Sequence, residues 1–279
     1  MQFKKISIIV SKTDSAGMNI AGHLIKEFNF AETGKQFDSN SVYSCSFNGT
    51  ELELIFINQK QVFADYLDEI KTDLLVFASK HSSSSEQPAL SVHPIGNFSS
   101  AGLGGKEKTL VKTSSLVLKN FFLNLLKEKT SRNFSWPVLM EQTHHGPFLS
   151  KPAVFIEIGS SELEWNNSVA GKIVSSAIIN SFSNFNSNFK TALGVGGTHY
   201  CPEFSKIMER TEIAVSHILS KYFVEEADFS LFKQMLSTTI EKTDLVLFDW
   251  KGLNSEQRKK IISFCVELKL EYKKTRDFL

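Results

Sequence analysis

Short β-branched and aromatic runs, separated by stretches of helical spacing, recur along the whole chain, and this alternation restricts the fold more than any other feature. Ile6 to Val10 predicts a buried first strand, and Gly17 to Phe28 a helix behind it. Tyr43 to Phe47 and Leu52 to Ile57 flank Asn48-Gly49. That dipeptide marks a tight hairpin, because both central residues of its turn take positive φ. Asp73 to Ala78 reads as a buried, parallel strand, Ser82 to Pro88 as a polar surface loop, and Leu90 to His93 as a short extended piece. Leu110, Val111, Leu118, Phe121, Phe122, Leu125 and Leu126 predict an amphipathic helix from Leu110 to about Lys129. Strands follow at Val138 to Glu141 and Val154 to Ile158. Ser161-Glu162-Leu163-Glu164 is a capping-box pattern opening a helix to about Phe182. Asn184 to Asn188 is a polar turn, Thr191 to Val195 a strand, and Glu212 to Leu219 an extended segment. Phe229 to Glu241 is read as helix, Leu245 to Phe248 as strand and Ser255 to Leu268 as helix. The expected fold is α/β: a three-layer α/β/α sandwich around a mostly parallel, mixed sheet. No internal repeat and no long linker interrupts it. Residues 1–279 are therefore expected to form a single α/β domain, with 225–279 as a C-terminal extension.

Charge and cysteine content narrow the function. The 31 basic and 30 acidic residues leave a net charge of +1, so any RNA contact must rest on a local patch. Three cysteines, widely spaced and with no CxxC, argue against a disulfide framework or a thiolate zinc finger. No window approaches a membrane span, and the N-terminal apolar run is too short for a signal peptide. A cytoplasmic protein is expected. The 24 phenylalanines read as an aromatic-rich core.

The chemistry gathers around Glu141-Gln142-Thr143-His144-His145-Gly146-Pro147, two adjacent imidazoles at a strand end beside a carboxylate. Ligands in open α/β sheets collect at the carboxyl ends of strands. His81 follows the Asp73 strand, His93 ends a short strand and His199 follows the Thr191 strand, while Glu157 closes the Val154 strand. Neutral imidazole and carboxylate are zinc ligands, and a catalytic zinc keeps a water position open. No HExxH or HxH is present, so a metal site requires the fold to bring these residues together; metal-free acid/base chemistry by histidine is the other reading. Adjacent side chains diverge on an extended chain, so only one of His144 and His145 is expected to face the site. His23 and His217 are read as structural, and Glu162 and Glu164 as helix N-terminal charge.

Two glycine clusters stand near these residues. Gly102-Leu103-Gly104-Gly105-Lys106 lacks the first glycine and the Ser or Thr of a phosphate-binding loop. Gly194-Val195-Gly196-Gly197 lacks the dinucleotide spacing. Each is either a turn or a place where backbone amides approach a ligand closely. Cys201 near His199 is read as packing rather than as a nucleophile.

Five segments occur in one order: Ser79-Lys80-His81-Ser82-Ser83; Val92-His93 with Gly96-Asn97; Glu141 to Pro147; Pro152 with Glu157-Ile158-Gly159-Ser160 and Trp165; and Gly194 to Tyr200 with Pro202 and Phe204. In these the chain, from about Ile6 to Tyr222, resembles the archaeal and plant type of D-aminoacyl-tRNA deacylase. The resemblance implies hydrolysis of the ester joining a D-amino acid to the 3′ end of tRNA. It also implies zinc dependence and a phosphorylase/hydrolase-like fold similar to peptidyl-tRNA hydrolase. No protein partner or membrane is implied, and no role is carried to the segment beyond about Glu225.

On that resemblance, zinc is expected on some of His81, His93, His144, His145, Glu157 and His199, with His81, His93, His145 and His199 favoured. Glu141 and Glu157, with His144 and His145, are the catalytic candidates. Amides near Gly104-Gly105 or Gly196-Gly197 are expected to stabilise an oxyanion. Lys80 and Lys106 are expected to meet terminal phosphates, and Tyr200 or Phe204 to grip the terminal adenine by stacking. A peptidyl-tRNA hydrolase or metallopeptidase on the same architecture is the alternative, and a non-catalytic RNA-binding module the third reading.

Overall fold

The structure, a computed structural model, describes residues 3–82 and 87–279, so the core of the polar stretch expected between Ser82 and Pro88 lies outside the described residues. In chain order, the first elements are β1 (Lys5–Ser11), α1 (Ser15–Glu27), β2 (Ala31–Phe37), β3 (Asn40–Phe47), β4 (Thr50–Ile57), β5 (Leu74–Ser82) and β6 (Ala89–Pro94). A small ribbon, β7 (Gly96–Asn97) with β8 (Thr109–Leu110), precedes α2 (Ser115–Ser131), β9 (Val138–Met140) and β10 (Ala153–Ser160). Next are α3 (Glu162–Trp165), α4 (Ser168–Ser183), β11 (Lys190–Val195), α5 (Pro202–Arg210) and β12 (Ile213–Leu219). The chain closes with α6 (Phe229–Ser237), β13 (Leu245–Phe248), α7 (Ser255–Glu267) and β14 (Glu271–Lys274).

The strands form an eight-stranded sheet, ordered β2-β3-β4-β1-β5-β10-β6-β9, and a four-stranded sheet, β12-β11-β13-β14. In the larger sheet β4-β1-β5-β10 run parallel, the early hairpin adds antiparallel strands at one edge, and β6 runs against β10 near the other. The second sheet is parallel throughout. The architecture is the expected α/β one, with a large mixed, mostly parallel sheet flanked by helices.

Side-chain alternation sorts the faces. Ile6, Ile8 and Val10 of β1, Leu74, Val76 and Ala78 of β5, and Val154, Ile156 and Ile158 of β10 point into one core with α1, α2, α4 and α5. Within it Ile20 and Leu24 of α1 are fully buried, each contributing about 1.5–3 kcal/mol. Asp14 caps this helix, its carboxylate accepting from the Gly17 amide. The same helical layer reaches one face of the second sheet through Ala192, Val215 and Leu247. The other face of that sheet, Leu193, Val195, Val246 and Phe248, is covered by α6 and α7. Residues 225–279 therefore supply two strands and two helices around the second sheet.

On the opposite face of the large sheet, Ile9, Leu75, Phe77, Ala153 and Phe155 lie under short 3-10 turns at Gln61–Phe63 and Asp65–Glu69 instead of a helix. Toward the β9 edge this face changes from apolar to polar, and the chemistry is there.

Two helix expectations need correction. Leu110 and Val111 are not helical: Leu110 pairs with Gly96, and the helix starts at Ser115, capped by Ser114. The Ser161 helix is one turn long, and a second begins at Ser168, capped by the Asn167 side chain. Asn favours caps because its side chain competes for backbone amides, so Asn166-Asn167 breaks what apolar spacing alone joins.

A histidine and carboxylate centre on the sheet face

Odd-numbered residues carry the face. On β5, Ser79 and His81 follow Leu75 and Phe77; on β10, Glu157 follows Phe155; on β6, Ser91 and His93 point the same way. Register aligns Glu157 with Ser79 on one side and Ser91 on the other, and places His93 beside Phe155. Glu141, one residue past β9, completes the row. The expectation of ligands beyond strand ends is thus modified: the groups stand on adjoining strands, and two loops fold over them. The loops hold each other, since Glu141 bridges to Tyr200, Gln142 N donates to the His199 carbonyl and Cys201 N to the Met140 carbonyl.

His81, His93, His144, His145 and His199 converge with Glu141 and Glu157. His199 Nε2 lies 2.9 Å from Glu141 Oε2, His144 Nε2 3.6 Å from the same oxygen, and His81 Nδ1 3.3 Å from Oε1. Glu157 Oε2 is 3.5 Å from His81 Nδ1 and 3.6 Å from His93 Nε2. Three triplets have donor atoms within 4.8 Å of one another: His93, His144 and His145; His81, Glu141 and His199; His93, Glu141 and Glu157.

The expectation that only one of His144 and His145 faces the site is corrected. His145 has φ +43°, which breaks the extended alternation. Both rings come to His93, with centroids 4.1 Å and 4.9 Å from it. The turn beyond is packed backbone to backbone. A Cβ on Gly146 would lie 2.3 Å from Gly105 N and 2.4 Å from the Val62 carbonyl oxygen. Gly146→Ala is therefore expected to cost more than about 3 kcal/mol, beyond ordinary overpacking, and to abolish activity; urea unfolding measures it.

Backbone carbonyls fix three imidazoles. The Nδ1 atoms of His93, His144 and His145 lie 3.0, 2.9 and 2.7 Å from the carbonyl oxygens of Pro94, Gln142 and Gly146. A carbonyl only accepts, so each Nδ1 carries the proton and each neutral ring presents the bare lone pair of Nε2. Among the described residues, His93 Nε2 and both Glu141 oxygens are buried without a hydrogen-bond partner, although His199 Nε2 lies 2.9 Å from Glu141. Buried polar atoms are rarely left so.

The electrostatics divide the histidines. Burial opposes protonation of His81 and His93, but the close carboxylates of Glu157 and Glu141 outweigh it, so both are raised. Burial, together with the neighbouring rings, lowers His144 well below the usual range and His145 to about 4. Burial pushes the Glu141 and Glu157 carboxyls up, yet the adjacent imidazoles hold both below the ordinary value.

Residues not singled out as site residues in the sequence orient those that were. Ser79 Oγ donates to Glu157 Oε1 at 2.7 Å, and Gln142 Nε2 lies 3.2 Å from His199 Nδ1. Trp165 Nε1 donates to the His81 carbonyl at 2.8 Å. Counting back by two from His81 was the available signal for Ser79. Tyr200 is placed with its hydroxyl 2.8 Å from His81 Nε2. Lys80 Nζ rests 4.7 Å from the Trp165 ring centre and Lys106 Nζ 3.6 Å from that of Phe148. Gly104 and Gly105 pack on Val62 and Gly146, beside His145, whereas Gly196 and Gly197 abut Asp249. Burial drives the Cys201 thiol well up, which fits packing and not a nucleophile.

The two histidines read as structural stand outside the cluster. His23 pairs with Glu27 and Ser168. His217 is fully buried between Thr143 and Thr238, and burial lowers its pKa to about 3. Its pKa when unfolded is about 6.5, so the unfolded chain binds the proton first as pH falls. The stability held above pH 6.5 is expected to decline toward pH 3, by at most about 1.4 kcal/mol per pH unit from this group. Urea titrations at several pH values would show it, and His217→Leu should flatten that part of the acid limb.

Fold and site together define an α/β protein with a buried histidine and carboxylate centre. The family model for D-aminoacyl-tRNA deacylase matches residues 68–273. The D-aminoacyl-tRNA deacylase of Pyrococcus abyssi is 38% identical over 274 residues, covering 95% of this chain and 98% of that protein. That of Archaeoglobus fulgidus is 33% identical over 269 residues, covering 94% and 92%. The crystal structure of a conserved protein of unknown function superposes with a TM-score of 0.90 at 29% identity, covering 100% of this chain and 98% of that one. The chain belongs to the D-aminoacyl-tRNA deacylase family. Among the described residues, no helix is long and apolar enough to cross a membrane.

Proposed function

We propose that this protein hydrolyses the ester between a D-amino acid and the 3′ end of tRNA, with zinc held in the histidine and carboxylate centre. Family membership supports the substrate. The observation that carries the chemistry is the set of three imidazoles whose Nδ1 atoms face backbone carbonyls, two of which, His93 and His144, turn Nε2 toward the buried carboxylates of Glu157 and Glu141. Two electron-rich groups facing each other in a buried site need a proton or a cation between them.

Zinc fits this donor set, which is imidazole and carboxylate with unpartnered atoms at His93 Nε2 and Glu141. His93, His144 and His145 would hold it, or His81 and His199 with Glu141; Glu157 stands within reach of both groups. Bound zinc supplies Lewis acidity, which polarises an ester carbonyl and acidifies water.

The chain's own groups do the rest. With the ion on His93, His144 and His145, Glu141, whose oxygens have no hydrogen-bond partner among the described residues, is the base that takes a proton from attacking water. Ser79 fixes Glu157, Gln142 fixes His199, and the Tyr200 hydroxyl fixes His81. The amides at Gly104-Gly105 are the better oxyanion donors, because the Gly196 amide already donates to the Leu219 carbonyl. Lys80 and Lys106, steadied on aromatic rings, are cations for the terminal phosphates.

The test is release of D-tyrosine from charged tRNA by protein of measured zinc content. Turnover of peptidyl-tRNA without release of D-tyrosine, or tight tRNA binding without turnover, would overturn the proposal.

A further inference from the structure

A cavity of about 330 Å³ opens beside the centre, lined by Ser79, His145 and Glu157 on the catalytic side and by Asp14, Val62 and Leu103 away from it. Asp14 belongs to none of the segments that suggested the family. Its side chain is buried at 6% exposure and accepts two backbone hydrogen bonds, from Gly17 N at 2.8 Å and Lys80 N at 3.0 Å. Two bonds leave half of a carboxylate's acceptor capacity unused. Lys60 and Lys80 also line the cavity, but among the described residues no lysine, arginine or histidine forms an ion pair with Asp14, and the Lys80 ammonium rests on the Trp165 ring. Burial pushes the Asp14 carboxyl up and the nearby Glu157 charge adds to that, against the two amide hydrogen bonds and the Lys80 charge. A cap needs no such setting: Ser114 and Asn167 cap their helices without a charge.

A buried carboxylate without a counter-ion, in the wall of a cavity that also holds catalytic groups, is suited to a cationic part of the substrate. An aminoacyl ester carries one cation of its own, the α-ammonium, bonded to the carbon next to the scissile carbonyl. We propose that this cavity is the aminoacyl subsite, with Asp14 receiving the α-ammonium and the apolar wall of Val62 and Leu103 receiving the side chain. The inference rests on the deacylase reading and adds a substrate contact to it. With the carbonyl held at the centre and the ammonium at Asp14, the third substituent of the α-carbon has one direction left, which is what discrimination between mirror images requires.

The test uses Asp14→Asn, since Asn caps helices as well as Asp does and its Oδ1 still accepts from Gly17 N. Its Nδ2 cannot accept from Lys80 N, a loss common to every substrate, so the readout is the difference between two esters. Wild type and variant are assayed on tRNA charged with D-tyrosine and on the same tRNA whose α-amino group has been converted to hydroxyl, each rate taken relative to spontaneous hydrolysis. Wild type is expected to prefer the ammonium ester. D14N is expected to lose at least about tenfold more in kcat/KM on that ester than on the hydroxy ester, mostly through KM. An equal loss on both esters, or no loss on either, would overturn the subsite. Wild-type protein inactive on both would instead overturn the deacylase reading, so the two failures are distinguishable.

Discussion

Glu141→Gln is expected to lower kcat/KM for D-aminoacyl-tRNA by at least about 10³-fold, within the range seen for loss of an acid/base group, and yet leave the fold intact. Glu141 is fully buried, and neither of its oxygens is hydrogen bonded. Replacing the charge by an amide of the same shape removes a desolvated anion whose partners are imidazoles at 2.9 to 3.6 Å. The imidazoles hold the Glu141 carboxyl below the ordinary range, so its charge contributes to stability at neutral pH, and after metal removal the variant should unfold at a lower urea concentration than wild type. A variant retaining more than a tenth of wild-type activity would remove Glu141 from the mechanism.

The second large effect is expected from chelation. If zinc binds the folded protein at a thousandfold excess over its dissociation constant, it adds about 4 kcal/mol of stability. For a chain of 279 residues that corresponds to a fall in Tm of roughly 8 °C on treatment with EDTA. Turnover should vanish in parallel, and zinc should restore both. The donor atoms are already gathered within 4.8 Å, so the ion is expected to add to a formed fold rather than organise a disordered one. An unchanged Tm together with full activity in EDTA would exclude a resident metal.

The period-two and helical patterns carried most of the fold into view, because β1, β5, β10 and β13 are buried and have unbroken apolar runs. The elements that stayed hidden lack that signal. β2, Ala-Glu-Thr-Gly-Lys-Gln-Phe, is exposed along nearly its whole length, and β14, Glu-Tyr-Lys-Lys, is mostly so. Both are edge strands, held by pairing with one neighbour and not by burial. α5 was concealed because Pro202 reads as the end of the His199 segment, whereas proline at the first helical position begins a helix. In the site, position at strand ends made His81, His93 and Glu157 legible, although the face they share became visible only with the strand register. The side by side placement of His144 and His145 was not legible, since it depends on one positive φ. Asp14 carried no signal in the sequence, and only its burial in the cavity wall set it apart.

The centre is assembled from strands and loops far apart in the chain, and its hydrogen bond between His81 and Tyr200 spans 119 residues. Contacts of such long range form late, after the loop-closure entropy of the intervening chain has been overcome. During synthesis the imidazoles of β5, β6 and the Glu141 loop emerge well before His199 does. A zinc ion on His81, Glu141 and His199 would find only part of its chelate in a nascent chain, and its uptake should track the slowest refolding phase; an ion on His93, His144 and His145 would be taken up earlier.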